Sequence, residues 1–144
     1  MKILGIDYGT KRLGLAVSDE DAFLASPLPL IRRSRSLNRD LMAIRTLARE
    51  HDISLIVVGL PLHMNGTRGE MAERAKSFAS ELQKHAKLPV TCFDERGTTL
   101  EAEGMLIEAG FSRKRRKDLK DSVAAAAMLQ TYLDDRRPSE SRSP

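Results

Sequence analysis

Three acidic residues occupy positions from which they could support chemistry: Asp7, Glu95 and Asp121. Asp7 ends the first apolar run, and Glu95 follows a later apolar run, next to Asp94. Two carboxylates about 4 Å apart repel each other by roughly 4 kcal/mol at an effective dielectric near 20. Divalent cations relieve such repulsion, and oxygen ligands suit Mg²⁺ or Mn²⁺. If the three acids meet, they would hold ions for phosphodiester cleavage, with Asp7 bridging the ions.

Each acid also has a structural explanation when it is taken alone. Turns favour aspartate at strand ends. The first turn of a helix favours Asp121 through the helix dipole, whatever its function. Arg96 can form an ion pair with either Asp94 or Glu95, and the sequence does not decide which of these two acids would face a metal. The prediction of a metal site therefore depends on the three acids lying together.

Short apolar runs and turn residues predict five strands and four helices. The predicted strands cover residues 2–7, 13–17, 27–31, 53–58 and 90–93. The predicted helices cover 37–50, with Asn38 as a cap candidate, then 67 to about 85, 98–110, and 118 to about 135. Thr67 with Glu70 and Thr98 with Glu101 resemble capping boxes, and Asp118 is a cap candidate for the last helix.

This order predicts an α/β fold with a mixed five-stranded sheet flanked by helices. A three-stranded antiparallel meander precedes two parallel strands. Residues 1–135 form one predicted domain, and 136–144 form a disordered tail rich in Arg, Ser and Pro. Ligands of open α/β sheets gather outside the carboxyl ends of the strands. If the first strand packs parallel to the strands at 53–58 and 90–93, Asp7 and Glu95 share that rim.

Composition narrows the class of protein. The chain has 144 residues, with 41% hydrophobic and 4% aromatic residues and no tryptophan, so a stacking surface built from several rings is not expected. The net charge of +4 is compatible with a polyanionic partner. The single cysteine, Cys92, excludes an internal disulfide and is predicted to be a buried thiol. An acid at position 7 and the lack of long apolar runs predict a cytoplasmic protein without a membrane span.

Four motifs, in order, resemble the YqgF (RuvX) family over nearly the whole chain up to the tail. They are GIDYGTKRLGLAVSD at 5–19, VVGLPLHMNGT at 57–67, FDER at 93–96 and DSVAA at 121–125, continuing to Leu129 and Gln130. The resemblance implies a ribonuclease H-like fold related to Holliday-junction resolvases. It also implies a nuclease that matures the 5′ end of the small-subunit (16S) ribosomal RNA precursor, with Asp7, Glu95 and Asp121 as catalytic acids. One departure is Gly97, where the family usually has Leu, and it loosens the expected placement of Glu95.

Basic and polar residues near these acids are candidates to hold a nucleic-acid backbone. Arg96 has the planar guanidinium that fits a phosphate, and the basic run 113–117 directly precedes the helix of Asp121. The predicted substrate-binding set is Lys11, Arg12, Asn65, Arg96, Arg113, Lys114, Arg115, Arg116 and Lys117. We expect residues 111–117 to form a linker into the last helix.

Four functions remain open from the sequence. The first is metal-dependent cleavage of structured RNA by a monomer or weak homodimer. The second is the same chemistry on branched DNA, which requires a symmetric dimer with two sites. The third is nucleotide binding, since Asp7-Tyr8-Gly9-Thr10 also resembles the first phosphate loop of the actin and sugar-kinase superfamily. The fourth is RNA binding without catalysis.

Overall fold

A computed structural model describes residues 1–61, 69–95 and 113–136. The strands are β1 (Lys2–Asp7), β2 (Arg12–Ser18), β3 (Ala25–Arg32), β4 (Ile53–Pro61) and β5 (Val90–Glu95); the helices are α1 (Leu37–Glu50), α2 (Glu70–Ala86) and α3 (Arg113–Arg136). The strands form one sheet in the order β3-β2-β1-β4-β5.

The pairing of the strands confirms the predicted mixed sheet. β1 and β3 both pair antiparallel with β2, which makes the meander. β4 lies parallel to β1, and β5 lies parallel to β4. β3 is an edge strand, which suits Pro27 and Pro29 because proline has no N–H to donate to a neighbouring strand. Its pairing with β2 has a register irregularity opposite Leu13–Leu15.

The alternation of side chains along β1 divides the core into two layers. Leu4 and Ile6 point to one face, where they pack with buried residues of α1 and α2. Ile3 points to the other face and packs with α3. Gly5 lies on this second face directly beneath α3, since a Cβ added to it would lie 3.0 Å from Cβ of Leu129. Below, these are called the α1/α2 face and the α3 face.

Several strands are longer than predicted. β4 continues through Gly59 to Pro61, and β5 continues through Asp94 to Glu95, so Glu95 belongs to the strand and does not follow it. Parallel pairing with β4 supplies the hydrogen bonds that extend β5 past its apolar residues. Cys92 is exposed, because β5 is an edge strand, and the expectation of a buried thiol was wrong.

The predicted bounds of α1, 37–50, are confirmed, but its predicted cap and the predicted starts of the two later helices were wrong. Ser36, and not Asn38, caps α1, and its side chain accepts a hydrogen bond from the backbone N–H of Arg39. α2 begins at Glu70 with Gly69 as its N-cap, so the helix does not start from a capping box at Thr67. α3 begins at Arg113, which makes the basic run 113–117 helical and places Asp118 inside the helix. Arg and Lys have high helix propensity, so the helix extends through them.

Some predictions lie outside the described residues. They are the capping-box residue Thr67, the helix at 98–110 with its Thr98 and Glu101 box, and the tail beyond α3, which itself ends at Arg136, one residue past the predicted domain.

Candidate active site

Asp7 is the last residue of β1 and is flanked by glycine on both neighbouring strands. It pairs with Gly14 of β2 and with Gly59 of β4. Paired residues of adjacent strands point to the same face of a sheet, so Asp7 has no neighbouring side chain in its own row on either adjacent strand. The carboxylate is half-buried at the carboxyl end of the strand. Asp7 therefore ends its strand with only glycines beside it in the sheet.

Helix α3 runs across the same face and places Asp121 toward the same end of the sheet. The hydroxyl of Ser122 lies 3.5 Å from the backbone N–H of Leu15, the residue after the partner of Asp7. Further along the helix, Leu129 covers Gly5, and Gln130 accepts a hydrogen bond from the backbone N–H of Ala25. The helix therefore runs from the Asp7 end of the sheet toward the opposite end.

Glu95 lies on the strand two places away from β1. Gly59 pairs with both Asp7 and Phe93, so position 95 lies two residues beyond the row of Asp7. Two strand spacings across and two residues along put the Cα atoms of Asp7 and Glu95 roughly 12 Å apart. Phe93 packs edge-on against Tyr132 of α3, at 5.5 Å between ring centroids. Because residues of a strand alternate between its faces, position 95 falls on the same face of β5 as position 93, and position 94 falls on the opposite face.

The structure therefore brings the backbones of the three predicted acids to one end and one side of the sheet. It does not describe the side chains of Glu95 and residues 113–121. Among the side chains that are described, no group of three His, Cys, Asp or Glu residues could hold a metal. Asn65 and Arg96 lie outside the described residues. The predicted carboxylate oxygens fit Mg²⁺ or Mn²⁺, which prefer oxygen ligands.

The turn that follows Asp7 is held in place by Arg33. The backbone N–H of Arg33 donates to the carbonyl of Lys11 at 2.8 Å, and its Nη1 donates to the carbonyl of Gly9 at 2.9 Å. The guanidinium carbon lies 5.3 Å from the ring centroids of both Tyr8 and Phe78. A side chain at Gly9 would meet the Arg12 carbonyl oxygen at 2.5 Å, so the turn needs glycine there.

Arg33 is itself fixed by a buried ion pair. Its Nε lies 2.8 Å from Oδ2 of Asp40, a side chain that is only 2% exposed. The other oxygen of Asp40 accepts hydrogen bonds from the backbone N–H and the hydroxyl of Ser34, each at 2.9 Å. Burial by itself would raise the pKa of Asp40, but the hydrogen bonds from Arg33 and Ser34 outweigh it and lower the pKa. Asp40 therefore stays ionised beside Arg33.

Sequence reasoning missed Arg33 and Asp40. Both belong to the end of β3 and the start of α1, and neither lies in a motif. The polar residues at the start of α1 indicate only a helix cap. An ion pair across a loop, such as Arg33–Asp40, has no fixed sequence spacing by which it could be predicted.

Two groups of the predicted basic residues lie at the same end of the sheet as Asp7: the turn residues Lys11 and Arg12, and the run 113–117. Lys11 is exposed in the turn after Asp7, and Arg12 is the exposed first residue of β2. The run 113–117 forms the start of α3 and begins eight residues before Asp121. It is helical and not the linker we expected.

A cleft of about 420 Å³ opens on the α1/α2 face behind the turn. Its lining includes Tyr8, Arg33, Phe78 and the exposed glutamates Glu70 and Glu73. Glutamates disfavour a polyanion, so this cleft is a poor phosphate site, and the α3 face is the better candidate.

The order and directions of the strands define a fold class, the ribonuclease H-like sheet that RuvC also has. The chain aligns with Thermus thermophilus RuvC, solved with a Holliday junction substrate, at a TM-score of 0.58 and 18% identity over 94% of this chain and 96% of that one. The large terminase nuclease of thermophilic phage G20c aligns at a TM-score of 0.55 and 12% identity, over 92% of this chain and 81% of that one. At these identities the likeness shows the fold.

The family follows from sequence. The family model described as "RuvX: Holliday junction resolvase" matches residues 1–135, and the chain belongs to this family. A protein of Endomicrobium trichonymphae named "Putative pre-16S rRNA nuclease" is 48% identical over 92% of this chain and 95% of its own length. A protein of Symbiobacterium thermophilum with the same name is 47% identical over 98% and 99%. Across the described ranges, no helix is long and apolar enough to cross a membrane.

Proposed function

We propose that this protein is a divalent-metal-dependent endonuclease that matures the 5′ end of precursor 16S ribosomal RNA. The observation that carries the proposal is the position of Asp7, at the carboxyl end of β1 between Gly14 and Gly59. The backbones of Glu95 and Asp121 lie at the same end of the sheet. Membership of the RuvX family and the RuvC-like fold support hydrolysis of phosphodiester bonds.

The names of the relatives support RNA as the substrate. Two relatives with 47% and 48% identity are named for pre-16S rRNA, and they align over nearly their whole length. The family is described as Holliday junction resolvases, and RuvC was solved with a Holliday junction substrate, which makes junction resolution the second candidate. Cutting a junction symmetrically needs two sites, whereas maturing one RNA end needs one. We therefore propose that a monomer or weak homodimer acts on ribosomal precursors in the cytoplasm.

In this proposal the three acids hold and orient the reacting groups. Asp7, Glu95 and Asp121 bind Mg²⁺ or Mn²⁺ through their carboxylate oxygens. When bound, such ions supply the positive charge that stabilises the attacking and leaving oxygens. Lys11, Arg12, Asn65, Arg96 and the basic start of α3 (113–117) hold the phosphate backbone. Glu95 is the metal-facing acid in place of Asp94, because position 95 falls on the same face of β5 as Phe93, which packs against α3.

The test offers the purified protein precursor 16S rRNA and a four-way DNA junction side by side with Mn²⁺ or Mg²⁺. We expect cleavage of the RNA that chelation abolishes. Asp7→Asn and Glu95→Gln should each lower kcat by about a thousandfold or more, since several kcal/mol of charge stabilisation is lost. Asp94→Asn is the matched control and should cleave nearly normally.

Circular dichroism and thermal unfolding establish that each variant is folded. Unchanged cleavage by Asp7→Asn would overturn the site assignment. Preferred cleavage of the junction would replace the RNA substrate by DNA. RNA binding without cleavage under any metal would leave a non-catalytic RNA-binding factor.

A further inference from the structure

Two arginines face each other across β2 and β3 at the Asp7 end of the sheet. Arg12, the first residue of β2, pairs with Arg32, the last residue of β3, and both are exposed. Side chains directly opposite on antiparallel strands lie about 5 Å apart at Cβ, so the two arginines can reach neighbouring phosphates. No described acidic group forms an ion pair with Arg32. The two residues are called the arginine edge below.

The arginine edge lies on the same face of the sheet as Asp7. Alternate residues of a strand share a face, so Arg12 lies on the same face of β2 as Gly14 and Ala16. Gly14 pairs with Asp7, and Ala16 is buried against α3. Arg32 shares that face because it is paired with Arg12. Since β2 runs antiparallel to β1, Arg12 lies two residues beyond the row of Asp7, at the open end of the sheet.

The backbone that carries the arginine edge is rigidly held from the other face. Arg33 contacts the carbonyls of Gly9 and Lys11 and is buried against Asp40. The backbone beneath the arginine edge is therefore fixed before binding, and only the two arginine side chains have to become ordered. Such preorganisation lowers the entropic cost of binding a ligand.

We propose that the arginine edge, Arg12 together with Arg32, binds successive backbone phosphates of a nucleic acid whose scissile bond lies at Asp7. The inference rests on the proposed function and extends its substrate contacts from the turn to the outer strand β3. Guanidinium groups bind phosphate oxygens through two parallel hydrogen bonds.

The experiment measures binding separately from cleavage. A fluorescently labelled RNA stem–loop with a single-stranded extension and a four-way DNA junction are titrated with the full chain in EDTA, at several salt concentrations. The variants are Arg12→Gln, Arg32→Gln and the double variant. Arg49→Gln is the matched control, because Arg49 is an exposed arginine in the last turn of α1 and carries the same charge.

We expect each single variant to weaken binding roughly three- to tenfold, the effect of losing one good hydrogen-bonded contact. The slope of log K against log salt should fall by about one for each lost phosphate contact. Both probes should be affected equally, and Arg49→Gln should change binding less than twofold. Thermal midpoints measured on each variant establish that it is folded.

The proposal is overturned if Arg12→Gln and Arg32→Gln behave like Arg49→Gln, since net charge alone would then explain binding. A loss confined to one probe would contradict a contact made to phosphates. If the wild type binds through the arginine edge but does not cleave, the edge stands and the proposed nuclease function fails. If it cleaves and the Arg32 variant binds and cleaves normally, the function stands and the edge fails.

Discussion

Arg32 and Arg33 are adjacent in the chain, yet the sheet gives them opposite environments. Arg32 lies on the α3 face with Arg12 and Asp7, exposed and facing another cation. Arg33 points to the α1/α2 face, where its side chain is only 15% exposed and is paired with Asp40 and two aromatic rings. On one face the charge of Arg33 stabilises the fold, whereas on the other the charge of Arg32 is exposed to solvent. The same residue type supports both uses because strand alternation separates them.

The largest effect is expected from removing Asp40, the buried partner of Arg33. We expect Asp40→Ala to lower the free energy of unfolding by about 3–5 kcal/mol, because it leaves the Arg33 charge uncompensated and removes the acceptor for Ser34. Urea unfolding followed by circular dichroism measures the loss.

The matched control is the exposed pair Arg74–Glu70, which has nearly the same separation, 2.7 Å, but side chains that are 53% and 79% exposed. Glu70→Ala should change stability by less than about 0.5 kcal/mol. The double variant Arg33→Gln with Asp40→Asn should recover part of the loss, since it leaves no buried charge. Equal losses at Asp40 and Glu70 would mean that burial does not distinguish the two pairs.

A second prediction concerns the turn that joins the two faces. In Gly9→Ala the new Cβ would meet the Arg12 carbonyl oxygen at 2.5 Å, so the turn must shift. We expect a loss of about 1–3 kcal/mol in stability, as for other overpacked sites. Because Arg12 moves with the turn, affinity for RNA should fall as well. Thr10→Ala, an exposed change in the same turn, should leave both measurements within error; a similar effect there would assign the loss to the turn in general.

The sequence predicts this region unevenly, for physical reasons. Apolar runs and the terminal acid are local signals, so β1, β4 and the position of Asp7 at a strand end follow from them. Arg12 meets Arg32 only through the register of β2 with β3, which a local irregularity shifts opposite Leu13–Leu15. Such a register is set by tertiary packing and leaves no spacing to find.

At the start of α3 a local signal was present but led to a wrong prediction. Five consecutive cations at a helix N-terminus oppose the helix dipole, which favours the reading of 113–117 as a linker. Helix propensity and the packing of the later turns, including Leu129 over Gly5, decide otherwise. Local electrostatics was the weaker contribution, since the interaction of one charge with the helix dipole is worth only about 0.3–1 kcal/mol.

The smallest predicted effect is the pH dependence of the buried pair. The pKa of Asp40 is lowered in the folded protein by its hydrogen bonds, despite burial. A group with a depressed folded pKa stabilises the fold above its unfolded pKa, near 3.9, and loses that contribution as pH falls through the folded value. The difference in unfolding free energy between the wild type and Asp40→Asn should therefore be full near pH 6 and shrink below about pH 4. The exposed Asp52→Asn variant corrects for removal of a surface charge. A difference that stays constant down to pH 2 would show that the hydrogen-bond geometry of Asp40, and not its ionisation, stabilises the α1/α2 face.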